Sequence, residues 1–459
     1  MASVKKGRLY LGVDVGGTKI LAALAEESGT ILARERCATP REGGADEVFR
    51  TIERLIVQTL QKGNIDRADL VAMGVAVPGV VEPRTGRVVV TPNMSLSGVS
   101  LGTHLEEHFH VAVALGNDCN LGTLGETWLG SARKAGSAFG IFVGTGIGGG
   151  FVRKGKLWRG AREAAGEIGH MVMQIDGGLR CGCKNYGCLE TLASRTAIEN
   201  QIRAAVAGGR GTVLGELLRG DLSIIRSSAL RQALERNDEL ATEVVHRAAK
   251  VLGAACVTVR HLIDPELIVL GGGVLKECSD YMMPIVENCI GSDRLPGARD
   301  GGRVLLSALG DDAVVLGAVA LARMKVNRSP FKKKFAVAPE YPEVAWAGKG
   351  ELAVGGTTFD RDVYLLADGT VKKRKKKFAG EGNPASHQVE AGELERACRG
   401  GPEVLFVGGG ETGAVQLSED AQRYLRHRSI ECRVLRTPEA IEAYNRCGQR
   451  KAALLHTGC

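Results

Sequence analysis

Aromatic residues make up only 4% of this 459-residue chain, while glycine is abundant, with 63 copies. Few rings and many glycines point to an α/β architecture with glycine-lined turns. No uninterrupted apolar stretch is long enough to cross a bilayer, so no membrane contact is expected. The opening, Met1-Ala-Ser-Val-Lys-Lys-Gly-Arg-Leu-Tyr-Leu-Gly12, has no charged-then-apolar leader and no small-residue cleavage site. No secretory signal is therefore expected. Charge is not extreme: the net value is +8, and much of it sits in the run Lys372-Lys-Arg-Lys-Lys-Lys377. Without interleaved aromatics, that run reads as a solvated loop or edge rather than a nucleic-acid patch. A Walker A pattern and solenoid-type repeats are also missing.

The length suggests two to four domain-sized units, and 44% hydrophobic with 24% charged residues is ordinary for a globular chain. Twelve cysteines without an export signal imply a reducing, cytosolic setting with free or metal-bound thiols. Three stand in Cys181-Gly-Cys183-Lys-Asn-Tyr-Gly-Cys188, preceded by His170. Three thiolates and one imidazole make a closed tetrahedral shell for structural Zn2+. A closed shell leaves no place for a reacting water. The ion would instead organise a loop and the carboxylates beside it, Glu167 and Glu190. A disulfide or inert buried thiols are the alternatives, although core cysteines have no reason to cluster with Gly and polar residues.

Residues 8–15 read as a strand, Asp14-Val-Gly-Gly-Thr-Lys19 as a tight turn and 20–24 as the returning strand of a hairpin. Helical periodicity covers 47–61, 121–129, 238–262 and 313–324. Strands are expected at 70–77, 111–115 and 139–143. The last leads through Gly144-Thr-Gly-Ile-Gly-Gly-Gly150 into another strand at 151–154. A strand after Asp264 ends in the turn Gly271-Gly-Gly273. Each half thus opens with a glycine hairpin after a strand, as two distant copies of one unit would. Residues 327–350, rich in Pro, Lys and Ala without periodicity, read as a linker. Residues 351–459 form a second unit, with strands at 363–366, 403–407, 430–435 and 452–456 and helices at 418–426 and 438–447.

Gly144-x-Gly146-x-x-Gly149 matches the dinucleotide fingerprint in letters only, because a strand rather than a helix follows it. Gly408-x-Gly410-x-x-Gly413 fails likewise, since its helix begins near Ser418. Two glycine hairpins remain, and their backbone N–H groups can approach an anion closely. Candidate phosphate contacts are Asp14, Gly16, Gly17, Thr18 and Lys19 in the first, and Gly144, Thr145, Gly146 and Gly148 in the second. Two hairpins without any ligand are the plain alternative. The repeated build and the third turn, Gly271, Gly272 and Gly273, weigh against it.

Asp118, within Asn117-Asp118-Cys119-Asn120 at a strand end, is the candidate base. A carboxylate there can take a proton from a substrate hydroxyl. Phosphoryl transfer needs little more than positioning and charge neutralisation. The alternative is an Asp that caps the helix expected from Leu121.

Together these motifs resemble the ROK family (repressor, open reading frame, kinase), and within it the bacterial glucokinase-like sugar kinases. Asp14–Lys19 and Gly144–Gly150 are similar to its two phosphate loops, and Asn117-Asp118 to its catalytic pair. Glu167-Ile-Gly-His170 and Gly187-Cys188-Leu189-Glu190 are similar to its sugar-and-zinc signature. Asp264–Gly273 looks like its nucleotide-binding turn, and Gly310–Gly317 like the start of its closing helix. The likeness covers about 8–324.

The resemblance implies a two-lobed, actin-like (ribonuclease H-like) ATPase fold over 1–326, with ATP and Mg2+ in the cleft. The N-lobe would span about 1–116 plus the closing helix 313–324, and the C-lobe about 117–312. It also implies that Asn93, Asn117, Asp118, Glu167, His170 and Glu190 hold sugar hydroxyls. Asp118 would be the general base at the 6-hydroxyl, and Asp14 would act near the magnesium through water. A homodimer or homotetramer in the cytoplasm is expected. Two features depart from the family: Lys184 stands where Gly is usual, and Asn93-Met-Ser-Leu-Ser-Gly98 lacks the usual Pro and Trp.

The function implied is an ATP-dependent hexose kinase making a sugar 6-phosphate, glucokinase first. Fructose, mannose, N-acetylated hexoses and polyphosphate in place of ATP stay open. Other members of the family are sugar-responsive repressors with an N-terminal helix-turn-helix. The first strand starts by Arg8, so no DNA partner is expected. A non-catalytic sugar-binding scaffold serving the C-terminal domain is the remaining rival. Residues 351–459 resemble small α/β domains related to a mitochondrial respiratory complex I assembly factor. That likeness rests on Val407-Gly-Gly-Gly410, Thr437-Pro-Glu-Ala440, Tyr444-Asn445 and His456-Thr-Gly-Cys459, and it implies no activity.

Overall fold

The structure, a computed structural model, describes residues 8–92, 94–295, 302–331, 341–348, 350–374, 388–399, 401–428 and 430–457. Asn93, Lys375–Lys377 of the basic run, much of the expected linker and Cys459 lie outside the described residues.

In the first lobe, β1 (Leu9–Val15), β2 (Lys19–Glu26) and β3 (Ile31–Ala38) form an antiparallel meander, with Val15 opposite Ile20 across the first hairpin. α1 (Gly44–Lys62) buries Val48, Ile52, Leu55, Ile56 and Leu60, an apolar stripe at helical spacing. β4 (Leu70–Val77) runs parallel to β1 and is almost wholly buried, as a strand covered on both faces must be. The short pair β5 (Val80–Glu82) and β6 (Arg87–Val90) and α2 (Leu101–Phe109) lead to β7 (Ala112–Asn117), parallel to β4. The sheet order is β3-β2-β1-β4-β7.

After α3 (Asp118–Trp128) the second lobe repeats this plan. β8 (Ser137–Val143), β9 (Ile147–Arg153) and β10 (Lys156–Leu157) form its meander. Five helices follow: α4 (Leu189–Ala193), α5 (Arg195–Ala207), α6 (Leu214–Leu217), α7 (Ser227–Glu235) and α8 (Glu239–Ile263). β11 (Leu267–Gly271), α9 (Gly273–Gly291) and β12 (Arg303–Leu306) complete the lobe, and α10 (Ala313–Lys325) returns to pack on β1 and β4 of the first. The order β10-β9-β8-β11-β12 matches the first sheet strand for strand, with a glycine hairpin at the same place. Each sheet has its own aliphatic core, centred on Val13, Ile52 and Met73 in one lobe and Ile141, Leu252 and Ile268 in the other. α10 ties the lobes together by backbone contact. A Cβ on Gly74 of β4 would lie 1.9 Å from the Ala318 carbonyl oxygen, and one on Gly317 would lie 1.7 Å from that of Leu121.

Two expectations shift. The helix expected from Leu121 begins at Asp118, because the Asn117 side chain caps it. The glycine turn after β11 opens a long helix, α9, which the sequence pattern hid because Pro284 lies inside it.

Residues Met324–Cys459 form a second compact unit. β13 (Val344–Gly348), β14 (Glu351–Val354) and β15 (Thr357–Phe359) make an antiparallel sheet. β13 lies inside the segment read as a linker, which corrects that reading: Val344 and Trp346 turn inward at a period of two. The remaining elements are β16 (Val363–Leu365), β17 (Val371–Lys373), β18 (Gln388–Val389), α11 (Ala391–Ala397), β19 (Val404–Gly409), β20 (Gln416–Leu417), α12 (Glu419–His427), β21 (Glu431–Leu435), α13 (Thr437–Arg446) and β22 (Lys451–His456). A mixed sheet runs β17-β16-β22-β19-β21. His456 of the terminal motif is buried in a charge cluster with Asp362, Arg374 and Glu393.

The α10 contacts make a prediction. Gly317→Ala should destabilise the fold by about 1–3 kcal/mol, since neither backbone can yield freely. Gly215→Ala, whose Cβ meets nothing within 4 Å, should be neutral or slightly stabilising. Chemical denaturation of both variants checks this, and equal midpoints would contradict it.

Candidate active site

Asp118 is the first residue of α3, at the end of β7. Asn117 braces it from both sides: its Oδ1 accepts from the Asn120 N–H at 3.0 Å, and its Nδ2 donates to the Gly79 carbonyl at 3.0 Å. One Asn117 amide hydrogen is left for a ligand. Oδ1 of Asp118 accepts from the Cys119 N–H at 2.8 Å. Burial pushes the Asp118 carboxyl above its ordinary value, against the lowering effect of that N–H.

Asp14 closes β1 just before the first hairpin, and its carboxyl is pushed up to about 7. Loss of water is the main cause, the nearby Asp118 carboxylate adds to it, and Lys19 opposes it. In the hairpin itself, the Gly16 N–H bonds the Lys19 carbonyl at 3.0 Å, and the Thr39 hydroxyl donates to the Gly16 carbonyl at 2.6 Å. Gly17, Thr18 and Lys19 stay exposed. Lys19 Nζ lies 3.6 Å from Asp311, and Lys276 in the first turn of α9 lies 3.6 Å from the other oxygen of the same carboxylate. One acid thus gathers a cation from the first hairpin and one from the third glycine turn.

The second hairpin packs on the first turn of α3. A Cβ on Gly148 would lie 2.4 Å from Cys119 Sγ, and one on Gly150 would lie 2.8 Å from Asn120 Cα. The third turn abuts the same strand end, with the Cβ position of Gly272 falling 2.3 Å from the Val143 carbonyl oxygen. Arg195, at the start of α5, donates its backbone N–H to Gly144 at 2.9 Å and its Nη2 to the Thr145 hydroxyl at 2.8 Å.

His170, Cys181, Cys183 and Cys188 converge, with their ligand atoms all within 4.8 Å of one another, so the set can hold a metal ion. Cys181 Sγ lies 3.6 Å from His170 Nδ1, and Cys183 Sγ lies 3.7 Å from Cys188 Sγ. A disulfide needs about 2.05 Å, so the cysteines are not bridged. Lys184 adopts φ 75°, the left-handed region that suits glycine. The loop therefore makes the same kind of turn a Gly would make, with a lysine bearing the strain. His170 Nε2 faces Glu167 at 4.0 Å. Glu190 links the metal loop to the hairpin: Oε2 accepts from the Ile147 N–H at 2.9 Å, and Oε1 is 3.7 Å from Cys181 Sγ. The Glu167 carboxyl is raised by burial, then by Asp118 and Glu190, with His170 opposing.

Asp14, Asp118, Glu167, His170 and Glu190 therefore form one run of neighbouring groups beside both hairpins. Sequence reasoning missed Arg195, Lys276 and Asp311. Arg195 and Lys276 carry no motif, Asp311 lies in the Gly310–Gly317 motif without a role assigned to it, and each meets its partners only through the tertiary fold.

The ROK family model matches residues 10–325. The chain belongs to the ROK family. A glucokinase of Halalkalibacterium halodurans is 32% identical over 320 residues, 70% of this chain and 96% of that protein. The crystal structure of a ROK family glucokinase from Streptomyces griseus in complex with glucose and AMPPNP superposes with a TM-score of 0.62 at 30% identity, covering 69% of this chain and 99% of that one. The two-lobed α/β architecture is the actin-like ROK sugar-kinase fold, joined to a distinct small α/β domain. Residues 344–456 of that domain match a family described as a protein of unknown function (DUF498/DUF598). The ROK relatives also include the DNA-binding transcriptional dual regulator NagC of Escherichia coli, 28% identical over 68% of this chain and 75% of that protein. This corrects the expectation of no DNA partner. The ROK body is common to kinases and regulators, so neither the fold nor the position of the first strand separates them. Among the described residues, no helix is long and apolar enough to cross a membrane.

The raised Asp14 carboxyl makes a prediction. Between about pH 4 and 7 the unfolded chain ionises this group while the folded one keeps it protonated. Stability is therefore lost as pH rises through that window. Asp14→Asn should match wild type below pH 4 and exceed it above pH 7. Urea denaturation of the nucleotide-free protein measures this, and a pH-independent difference would contradict it.

Proposed function

We propose that the ROK unit, about residues 1–326, is an ATP-dependent hexose kinase forming a sugar 6-phosphate, with glucose as the first substrate to test. The observation that carries this is the position of Asp118. It lies within electrostatic reach of Asp14 on one hairpin and of Glu167 on the sugar side, with the second hairpin packed on Cys119. The glucokinase relatives support the same reading.

Glu167, His170, Glu190 and the remaining Asn117 amide hydrogen would hold sugar hydroxyls, as would Asn93, which lies outside the described residues. Oδ1 of Asp118 is held by the Cys119 N–H, which orients the carboxylate that takes the 6-hydroxyl proton. The sugar oxygen bonds to the γ-phosphorus, the bond to the β–γ bridging oxygen breaks, and ADP leaves. Raised basicity suits Asp118 to that task. Gly16, Gly17, Thr18 and Lys19 would hold phosphate on one side. Gly144, Thr145, Gly146, Gly148 and Gly271–Gly273 would hold it on the other. Mg2+ arriving with ATP supplies charge neutralisation, and Asp14 would hold it through water.

The metal of the cysteine loop is taken to be structural zinc. Sulfurs bound about 2.3 Å from a tetrahedral zinc lie ~3.8 Å apart, and a sulfur and an imidazole nitrogen ~3.6 Å apart. The separations of 3.7 and 3.6 Å suit that shell. With Nδ1 turned to the ion, His170 keeps its proton on Nε2 and offers a donor to the cleft. A cytosolic setting keeps such thiols reduced. The kinship of 351–459 with a complex I assembly factor rests on its motifs alone, and no activity is attached to it. A sugar-responsive regulator is the second reading, favoured by the NagC relationship.

A sugar panel with ATP on the full chain, read by ADP release, tests the kinase. Asp118→Asn should keep sugar affinity and lower turnover by about a thousandfold. Near-normal turnover in that variant would refute the assignment. Sugar-dependent binding to DNA without ADP release would favour the regulator. Cys183→Ser should lose zinc and sugar affinity together, measured by metal analysis and calorimetry. Full sugar affinity without zinc would contradict the bracing role.

A further inference from the structure

We propose that Arg195 is a positioning residue for the nucleotide, setting the direction of the Thr145 hydroxyl in the second hairpin. This rests on the kinase reading above. Two hydrogen bonds tie Arg195 to consecutive hairpin residues, from its backbone to Gly144 and from its side chain to Thr145. The guanidinium also stands in an ion pair. Its Nε lies 3.2 Å from Oε1 of Glu199, one turn further along α5. Glu199 is buried and shared with Arg203 at 3.6 Å. A buried carboxylate needs compensating charge, so Glu199 keeps the guanidinium close by charge, although neither Nε nor Oε1 makes a hydrogen bond among the described residues, and the direction is set by the Thr145 bond.

The chemistry of the bond fixes the outcome. Guanidinium has only donors, so the Thr145 oxygen must accept. Its own proton is then left to donate, turned away from the arginine. Without Arg195 the hydroxyl is free to rotate and bond the local backbone, as Thr side chains commonly do. With it, a donor stands ready beside the hairpin glycines for a phosphate oxygen, and no reorganisation is needed on binding. The described contacts of Arg195 are with Gly144, Thr145 and Glu199 and with none of the sugar-side acids. Its effect should therefore fall on nucleotide, not on sugar.

A double-mutant cycle on the full chain tests this. AMPPNP affinity with Mg2+ is measured by calorimetry, and KM for ATP and for sugar by steady-state kinetics, for Arg195→Ala, Arg195→Lys, Thr145→Ala and the Arg195→Ala/Thr145→Ala pair. Arg195→Ala should weaken AMPPNP binding about tenfold, the worth of one charge-assisted hydrogen bond. KM for ATP should rise more than kcat falls, and KM for sugar should hold. Arg195→Lys should recover part of the loss. In the Thr145→Ala background the same change should cost less than about twofold, because coupled residues are not additive. Equal losses in both backgrounds would overturn the proposal, since the arginine would then act independently of Thr145. A wild type that binds AMPPNP yet phosphorylates no sugar would instead sink the kinase reading, with the cycle still readable from affinity alone.

Discussion

The candidate site depends on one close approach, that of β9 to the first turn of α3. With Gly148 and Gly150, the strand lies against Cys119 and Asn120 at distances no side chain would allow. A larger residue at either position would lift the second hairpin away from Asp118. Because the strand can sit there, the acid and the loop that follows β8 form one packed piece, and their separation is set by the core rather than by a mobile loop. The arrangement costs stability. Asp14, Asp118 and Glu167 are gathered where water is scarce, and each is pushed towards its neutral form. A cation and a ring of hydroxyl groups would relieve that repulsion, so the ligand-free site stores part of what binding releases.

Glu190 carries the influence of the metal loop into this piece. It stands two residues after Cys188, in the first turn of α4, and its two oxygens serve different partners, one the Ile147 N–H and one Cys181. Anchoring Cys181 and Cys188 therefore fixes a carboxylate that also anchors the second hairpin. His170 does the same on the other side, with one ring nitrogen towards the sulfurs and the other towards Glu167. An ion held by these four groups would in this way steady Glu167 and Glu190 without itself meeting a substrate.

Much of this was legible in the sequence because the chemistry lies in short local patterns. The cysteine spacing, the two glycine hairpins and Asn117-Asp118 need only a few consecutive residues to be recognised, and the structure brings them together. What was hidden depends on contacts between distant segments. Asn117 looked like a sugar ligand, but most of its amide is spent capping α3 and holding Gly79. For Asp118, read as the base, the alternative of a helix cap falls away, because Asn117 is the cap and Asp118 the first helical residue. Arg195, Lys276 and Asp311 are isolated charges in sequence, and only the packing of α5, α9 and α10 aims them at the hairpins. β13 escaped notice because alanine and lysine around it masked the alternation of Val344 and Trp346.

The kinship with both glucokinases and repressors places the weight of the functional argument on the phosphate side of the cleft. Sensing a sugar needs only groups that recognise hydroxyls, and Glu167, His170 and Glu190 would serve a sensor as well as an enzyme. DNA contact is a separate property that this cleft does not decide. Transfer of a phosphoryl group needs more: a base, glycine turns that let backbone N–H groups reach anionic oxygens, and cations placed to meet charge. Asp118 lies beside Asp14 of the first hairpin and under the second, the third glycine turn abuts the end of β8, and Lys19 and Lys276 are held on a single exposed carboxylate, Asp311, at 3.6 Å each. An anion brought to the turns would compete for both lysines against a solvent-screened ion pair, which is weak. The cost of freeing them is therefore small, and under the kinase reading an incoming phosphate would take the place of the Asp311 carboxylate as their partner.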